Sequence, residues 1–346
     1  MLLSLVLVAI AAAGPIARGP EKPVPGGTVW VTERTVGNST VAALDTATGE
    51  WRGPTPVGNV PIGITAPRGL DKVYSSDEGA NQLSVIDKQT MTVIATIPMG
   101  AGSRPHHLMA SRNGHYIYVG EFGSNKVGVV DTRLDENVAD LTASFNPGAK
   151  THAVFISRNG KDLYATNEGT LQNDVGTFSK IDVPTGDLVW EFPVGRRPSE
   201  VLVFDGIAYV SIRNESVVRA YDVTGSAPVY LWQAAAASSP DTLSITNDGD
   251  TLIVGLRGVP ARMAFIDTDT HDTTYLSLPG TTTGHQWLSR NGRFTFMAIE
   301  NPGQIGVIDN RRHTLVTTYP YPNGRRQPHG VFYEPPGDQD EEDEDE

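Results

Sequence analysis

The chain contains no cysteine in 346 residues. A disulfide framework is therefore excluded, but the compartment is left open, since exported proteins without disulfides and cytosolic proteins both fit. Charged residues are scarce at 19%. No segment sustains a helical hydrophobic period for three turns; the alanine run Ala234 to Ala237 is too short. Basic patches interleaved with aromatics are missing, which argues against nucleic acid as a partner. No Gly-x-Ser-x-Gly elbow occurs, and the Gly-rich turns lack a following helix, so neither that hydrolase signature nor a phosphate loop is present.

Long apolar runs are also missing. The one candidate, MLLSLVLVAIAAAG at the N-terminus, has an apolar core of about 13 residues, too short to span a bilayer. Ala11-Ala12-Ala13 resembles an export cleavage site, although no Lys or Arg precedes the apolar core. We read 1–13 as a signal peptide, 14–27 as a Pro/Gly linker, and the mature protein as exported, without a stable membrane span and monomeric. The net charge of −13 is concentrated in the terminal DQDEEDEDE. Like charges in a row bury no apolar surface, so 335–346 reads as a disordered, solubilising tail.

What the chain does have is glycine (36), proline (24) and short runs of Val, Ile and Thr, the composition of many strands joined by tight turns. Self-comparison organises it. The segment PIGITAPRGLDKVYSSDEGANQLSVID from Pro61 aligns without a gap to PHHLMASRNGHYIYVGEFGSNKVGVVD from Pro105, 44 residues later. Ser157-Arg158-Asn159-Gly160 repeats Ser111-Arg112-Asn113-Gly114, and HQWLSRNGRFTFMAIENPGQIGVID repeats the unit with Asp309 on Asp131. Weaker copies begin at Pro198 and Pro240.

Each unit holds four short strands, which is one propeller blade. The count is seven, with four-stranded antiparallel blades across 28–334, an all-β seven-bladed β-propeller. The last unit, GRRQPHGVFYE, has only a first strand, and the N-terminal VWVTERTVGNSTVAALDTATGEWRG lacks one. The two termini are expected to complete one blade together, with Gly330–Tyr333 joining the strands of Val29–Trp51. Trp30, Trp51, Trp190, Trp232 and Trp287 are expected in blade packing.

The motifs Leu83-Ser84-Val85-Ile86-Asp87, Ser157 to Asn167 (SRNGKDLYATN) and Ile305 to Asp309 resemble the YVTN-type repeat of surface-layer-like and lactonase-like propellers. The likeness covers about Thr28 to Tyr333. It implies the fold, and its members have diverse activities. No Trp-Asp pair closes a blade, unlike WD40.

Two adjacent positions at each inner-strand start form columns at one channel mouth. The first holds Ile62, His106, His152, Ser199, Asp241, Gly284 and His329; the second holds Gly63, His107, Ala153, Glu200, Thr242, His285 and Gly330. Five of eight histidines fall there. Second-strand ends add Glu33, Asp77, Glu78, Glu121, Glu168 and Glu300. Imidazole with carboxylate is a ligand set for a divalent transition metal and a set for general acid–base work. The same groups also satisfy turns around a wet channel. Neighbours on a strand point to opposite faces, so His106 and His107 are not both expected to face the axis. Arg104, Arg197, Arg213 and Arg257 lie near these starts, either to bind an anion or to balance the acidic ring. The reading is an exported propeller that binds a small-molecule ligand, metal ion or protein partner at this mouth. The alternative is an enzyme there: a lactone hydrolase, a lyase or a metal-dependent oxidoreductase.

Overall fold

The structure is a computed structural model that describes residues 24–170 and 174–337. The leader at 1–13, the linker up to residue 23 and the tail from 338 onward lie outside the described residues.

The turns of each repeat are closed by the repeat's own side chains. At the end of the third strand of one blade, Asp87 Oδ1 accepts the N–H groups of Gln89 and Thr90 at 3.1 and 2.7 Å. Asp45, Asp131, Asp182, Asp222, Asp267 and Asp309 cap the corresponding turns of the other six. Aspartate suits the place because its short carboxylate reaches the backbone two or three residues ahead. In the Ser-Arg-Asn-Gly turn, Ser111 Oγ accepts the Tyr116 N–H at 3.0 Å and Asn113 Oδ1 accepts the His115 N–H at 3.1 Å. Gly114 closes that turn at φ 71°, where a side chain would also collide with the Arg68 carbonyl.

The strands form seven four-stranded antiparallel sheets, and the described residues contain no α-helix, only three 3-10 turns. The innermost strands are Pro61–Thr65, Pro105–Ala110, Thr151–Ile156, Pro198–Phe204, Pro240–Ile245, Thr282–Leu288 and Pro328–Glu334. The expected closure is present. Pro328–Glu334 pairs antiparallel with Thr28–Glu33, with Val29 opposite Tyr333 and Val31 opposite Val331. Trp30 Nε1 donates to Glu334 Oε2 at 2.8 Å across that seam, and Lys88 of the next blade pairs with the same carboxylate. Val29, Leu44, Val331 and Tyr333 of the closing blade bury against Phe294, Phe296 and Val307 of its neighbour. Trp51 and Trp287 also pack between blades, on Tyr321 and Phe332. A closed ring of this kind leaves no sheet with an open side facing its neighbour.

Every innermost strand carries a bulge at the same point. Pro105 lies opposite Glu121 and Leu108 opposite Val119, so His106 and His107 together face the single residue Gly120. The same two-for-one pairing sets Ile62–Gly63 against Ser76 and His152–Ala153 against Thr166. Ser199–Glu200 face Ser211, Asp241–Thr242 face Gly255, Gly284–His285 face Ala298, and His329–Gly330 face Thr32. The two columns read from the repeats are these seven bulges. A bulge bends its strand and re-aims its side chains.

Four of the facing residues bear a hydroxyl that ties blade to blade. Thr32, Ser76, Thr166 and Ser211 accept the N–H of Gly330, Gly63, Ala153 and Glu200 at 2.7, 2.8, 3.2 and 3.0 Å. Each also donates to the first bulge carbonyl of the next blade: Ile62, His106, Ser199 and Asp241 respectively. The hydroxyls satisfy backbone groups that the bulge removes from the ladder.

Candidate functional site: a histidine-lined channel mouth

The bulges bring five imidazoles into one row. Ring centroids are 4.3 Å apart for His152 and His106, 5.1 Å for His106 and His107, 4.2 Å for His107 and His285, and 4.5 Å for His285 and His329. His106 and His107 stack at an interplanar angle of 6°. The premise that the two side chains point to opposite faces is therefore corrected: it assumed a regular pleat, and the two residues lie inside a bulge.

His106, His107 and His152 form the tightest group, with one nitrogen of each within 4.8 Å of the others. His106 Nδ1 and His107 Nε2 are buried without a hydrogen-bond partner. Burial pushes the His107 imidazole down to about 4 against the opposing pull of Asp241. Burial and then the neighbouring imidazoles hold His106, His152 and His285 well below their ordinary value; for His329, burial and Arg34 do so. The row is thus uncharged at neutral pH, the state in which imidazole has a lone pair to give.

His152 is engaged at both nitrogens. Nδ1 lies 2.8 Å from the Ser199 carbonyl oxygen, which only accepts, so Nδ1 bears the proton. Nε2 then accepts from Arg213 Nη2 at 3.0 Å. Arg213 also donates to Glu168 Oε1 at 2.9 Å and, through Nε, to Asp241 Oδ1 at 3.0 Å. Burial alone would raise Asp241, but Arg213 and Arg257 hold it well below the usual carboxylate range. On the other flank, Glu300 Oε1 accepts from Arg34 at 2.8 Å and from Arg257 at 3.5 Å, and lies 3.3 Å from His329 Nδ1.

The remaining sequence-picked residues divide by neighbourhood. Arg197 joins Glu168 at 3.0 Å, and Arg104 pairs with Glu78. All four arginines of the anion reading are thus paired with carboxylates. Glu33 faces Thr35, Gln327 and Arg325. Glu121 lies beside Ser124 in its own blade, where burial pushes it up to about 7. Among the described residues, no carboxylate belongs to the tight imidazole group.

Residues that the sequence reading did not single out complete the site. The facing hydroxyls Thr32, Ser76, Thr166 and Ser211 recur at one repeat position, a signal that alignment of second strands would have shown. Phe122 packs on His106 and His152 at 5.2 and 5.8 Å. Below the row a cavity of about 290 Å³ runs along the channel. A second, of about 1020 Å³, is lined by Arg68, Lys88, Arg112, Arg290 and Trp287.

No protein-family model matches the chain, and no curated protein sequence does. Solved structures match it closely in fold. Hydrazine synthase of Kuenenia stuttgartiensis superposes with a TM-score of 0.70 at 19% identity, over 86% of this chain and 99% of that one. The periplasmic gluconolactonase of Pseudomonas aeruginosa gives 0.68 at 18%, over 89% and 98%. A functionally unknown protein from Desulfotomaculum acetoxidans gives 0.70 at 12%, over 89% and 99%. At these identities the likeness establishes the seven-bladed fold alone.

Proposed function

We propose that this propeller binds a divalent transition-metal ion at the histidine-lined mouth, through His106, His107 and His152. The convergence of these three uncharged imidazoles, two with a buried nitrogen lacking any partner, carries the reading. Neutral imidazole suits zinc, copper, iron and nickel. Metal–nitrogen bonds of about 2.0–2.1 Å bring two ligand atoms no farther apart than about 4.2 Å, so the group must tighten slightly on binding. His152 must also exchange Arg213 for the ion at Nε2. Glu168, 3.7 Å from that nitrogen, is the nearby carboxylate able to balance the added charge.

Titration of untagged protein with Zn²⁺ or Co²⁺ by calorimetry tests this. One ion per chain is expected, with binding lost in His106→Ala and in His107→Ala and kept in Glu121→Gln. Absence of saturable binding in the wild type contradicts it.

A lactone hydrolase at the same mouth is the second reading. The similar structure named as a gluconolactonase suggests the substrate class, and His107 and His285, neutral and adjacent, supply bases. Hydrolysis of δ-lactones that is lost in His285→Ala would favour it. The YVTN-type kinship and export through the apolar leader belong to this proposal as well. Among the described residues, no helix is long and apolar enough to cross a membrane.

A further inference from the structure

The inner strands start at the histidine mouth and end on the opposite side of the ring, where the charge is different. The cavity of about 1020 Å³ opens there, reaching Thr65, Ala110, Leu288 and Glu334 at the ends of four inner strands. Its cations are Arg68, Lys88, Arg112 and Arg290, against the carboxylates of Asp45 and Glu334. Glu334 is joined to Lys88, and Asp45 caps its own turn. The three arginines therefore set the sign of the cavity, and that sign is positive.

The arginines share one repeat position. Arg112 and Arg290 stand second in their Ser-Arg-Asn-Gly turns, and Arg68 aligns with Arg112. Ser111, Asn113 and Gly114 close such a turn, and arginine is not a residue that turns favour. Two blades farther round the ring have Asn247 and the short turn Asp205-Gly206 at that place. The acidic run of the chain begins on this same cavity. Pro335, Pro336 and Gly337 line it, at the turn position of the closing blade, with Arg290 on one neighbouring blade and Arg68 on the other. Asp338 follows and opens nine residues that hold eight carboxylates. The point of exit is fixed, because Glu334 is held by Trp30 and Lys88 and the Tyr333 hydroxyl donates to the Gly26 carbonyl at 2.6 Å. An extended chain advances about 3.3–3.6 Å per residue, so four residues past Gly337 reach about 13 Å, roughly the width of a compact space of this volume.

We propose that the acidic run from Asp338 docks in cis into this arginine-lined cavity and covers the end of the channel opposite the histidines. Guanidinium groups suit the part, since each takes a carboxylate through two parallel N–H bonds. Trp287, stacked on Phe332 at 4.5 Å, and Met109 give the cavity an apolar wall, beside which charge pairs are screened less than in open water. Met109, Trp287 and Leu288 also line the cavity of about 290 Å³ below the imidazole row, so the two spaces adjoin along the channel. The acidic run thus has a docking site beyond its solubilising part. The proposal is independent of the metal reading, because it uses no residue of the histidine mouth.

A labelled peptide of sequence DQDEEDEDE, followed by fluorescence anisotropy, tests it on the full chain and on a chain ended at Gly337, which keeps every strand. The shortened chain is expected to bind one peptide, at least about tenfold tighter than the amide version with Asn for Asp and Gln for Glu, and more weakly as salt rises. The full chain, whose own run competes at about millimolar effective concentration, is expected to bind at least about tenfold more weakly than the shortened one. Arg68→Gln, Arg112→Gln and Arg290→Gln together should weaken peptide binding to the shortened chain at least about tenfold, and His106→Ala should leave it unchanged. Arg112→Gln alone, expected to weaken it about threefold or more, decides the matter where the triple variant does not fold. No saturable binding to the shortened chain, equal binding to both chains, or indifference to the arginine substitutions overturns the proposal. So does sedimentation showing that the full chain, and not the shortened one, dimerises, since the run would then dock on a second copy.

Discussion

Arg213 Nη2 lies 3.0 Å from His152 Nε2, and the same guanidinium holds Glu168 of one blade and Asp241 of another. One buried cation thereby links three blades at the channel mouth. Removing it takes the nearest counter-charge from two buried carboxylates, leaving Glu168 with Arg197 and Asp241 with the more distant Arg257. Arg213→Met is expected to cost about 3–5 kcal/mol of unfolding free energy, measured by denaturant titration at pH 7. Asp241 is held low in the folded state, so its contribution is present above the ordinary carboxylate range and is lost as pH falls through and below it. The gap between wild type and Arg213→Met should therefore narrow in acid.

Ring closure makes the C-terminal strand a structural necessity. Ending the chain before Pro328 strips Val331 and Tyr333 from their cluster and leaves Thr28–Glu33 with an unpaired side. The truncated protein is expected to lose its cooperative unfolding transition and to aggregate, read by circular dichroism and light scattering. Native-like melting of that variant would show that the seam is dispensable.

The hydroxyls facing the bulges have a different signature. Thr166→Val preserves shape but leaves the Ala153 N–H without its acceptor and removes a donor from the Ser199 carbonyl. A loss of about 1–3 kcal/mol is expected, with a similar loss for Ser211→Ala. Substitution of the exposed turn residue Thr48 should change stability by less than about 0.5 kcal/mol.

Acid should act on the imidazole row. His107 is neutral when folded, with its pKa near 4, while the unfolded chain binds a proton near 6.5. The unfolded state therefore binds more protons between those values, and stability falls as pH drops from about 6.5 toward 4. Asp77, Glu121 and Glu200, which burial raises, pull the opposite way. The informative comparison is wild type against His107→Gln: the variant is expected to lose less stability over that window. Parallel profiles would contradict the assignment.

Much of the architecture was legible because propeller turns are made locally. The seven aspartates that cap third-strand turns and the Ser-Arg-Asn-Gly motif recur in register, and they mark blades without any knowledge of packing. The two columns were legible for the same reason. Their geometry was not. That the rings of His106 and His107 stack side by side depends on a bulge, which is a property of how Pro105–Ala110 pairs with Tyr116–Glu121. The carboxylates were found by position, but their commitment to Arg34, Arg213 and Arg257 arises between blades and has no sequence spacing.

The imidazole group at the mouth is the proposed metal site. Crystals of untagged protein soaked with Zn²⁺ or Co²⁺, measured at the absorption edge of the metal, test it most directly. One anomalous peak is expected about 2.0–2.2 Å from a nitrogen of His106, His107 and His152, with Arg213 withdrawn from His152. A map without a peak there, and with Arg213 still bonded to His152 Nε2, would contradict it.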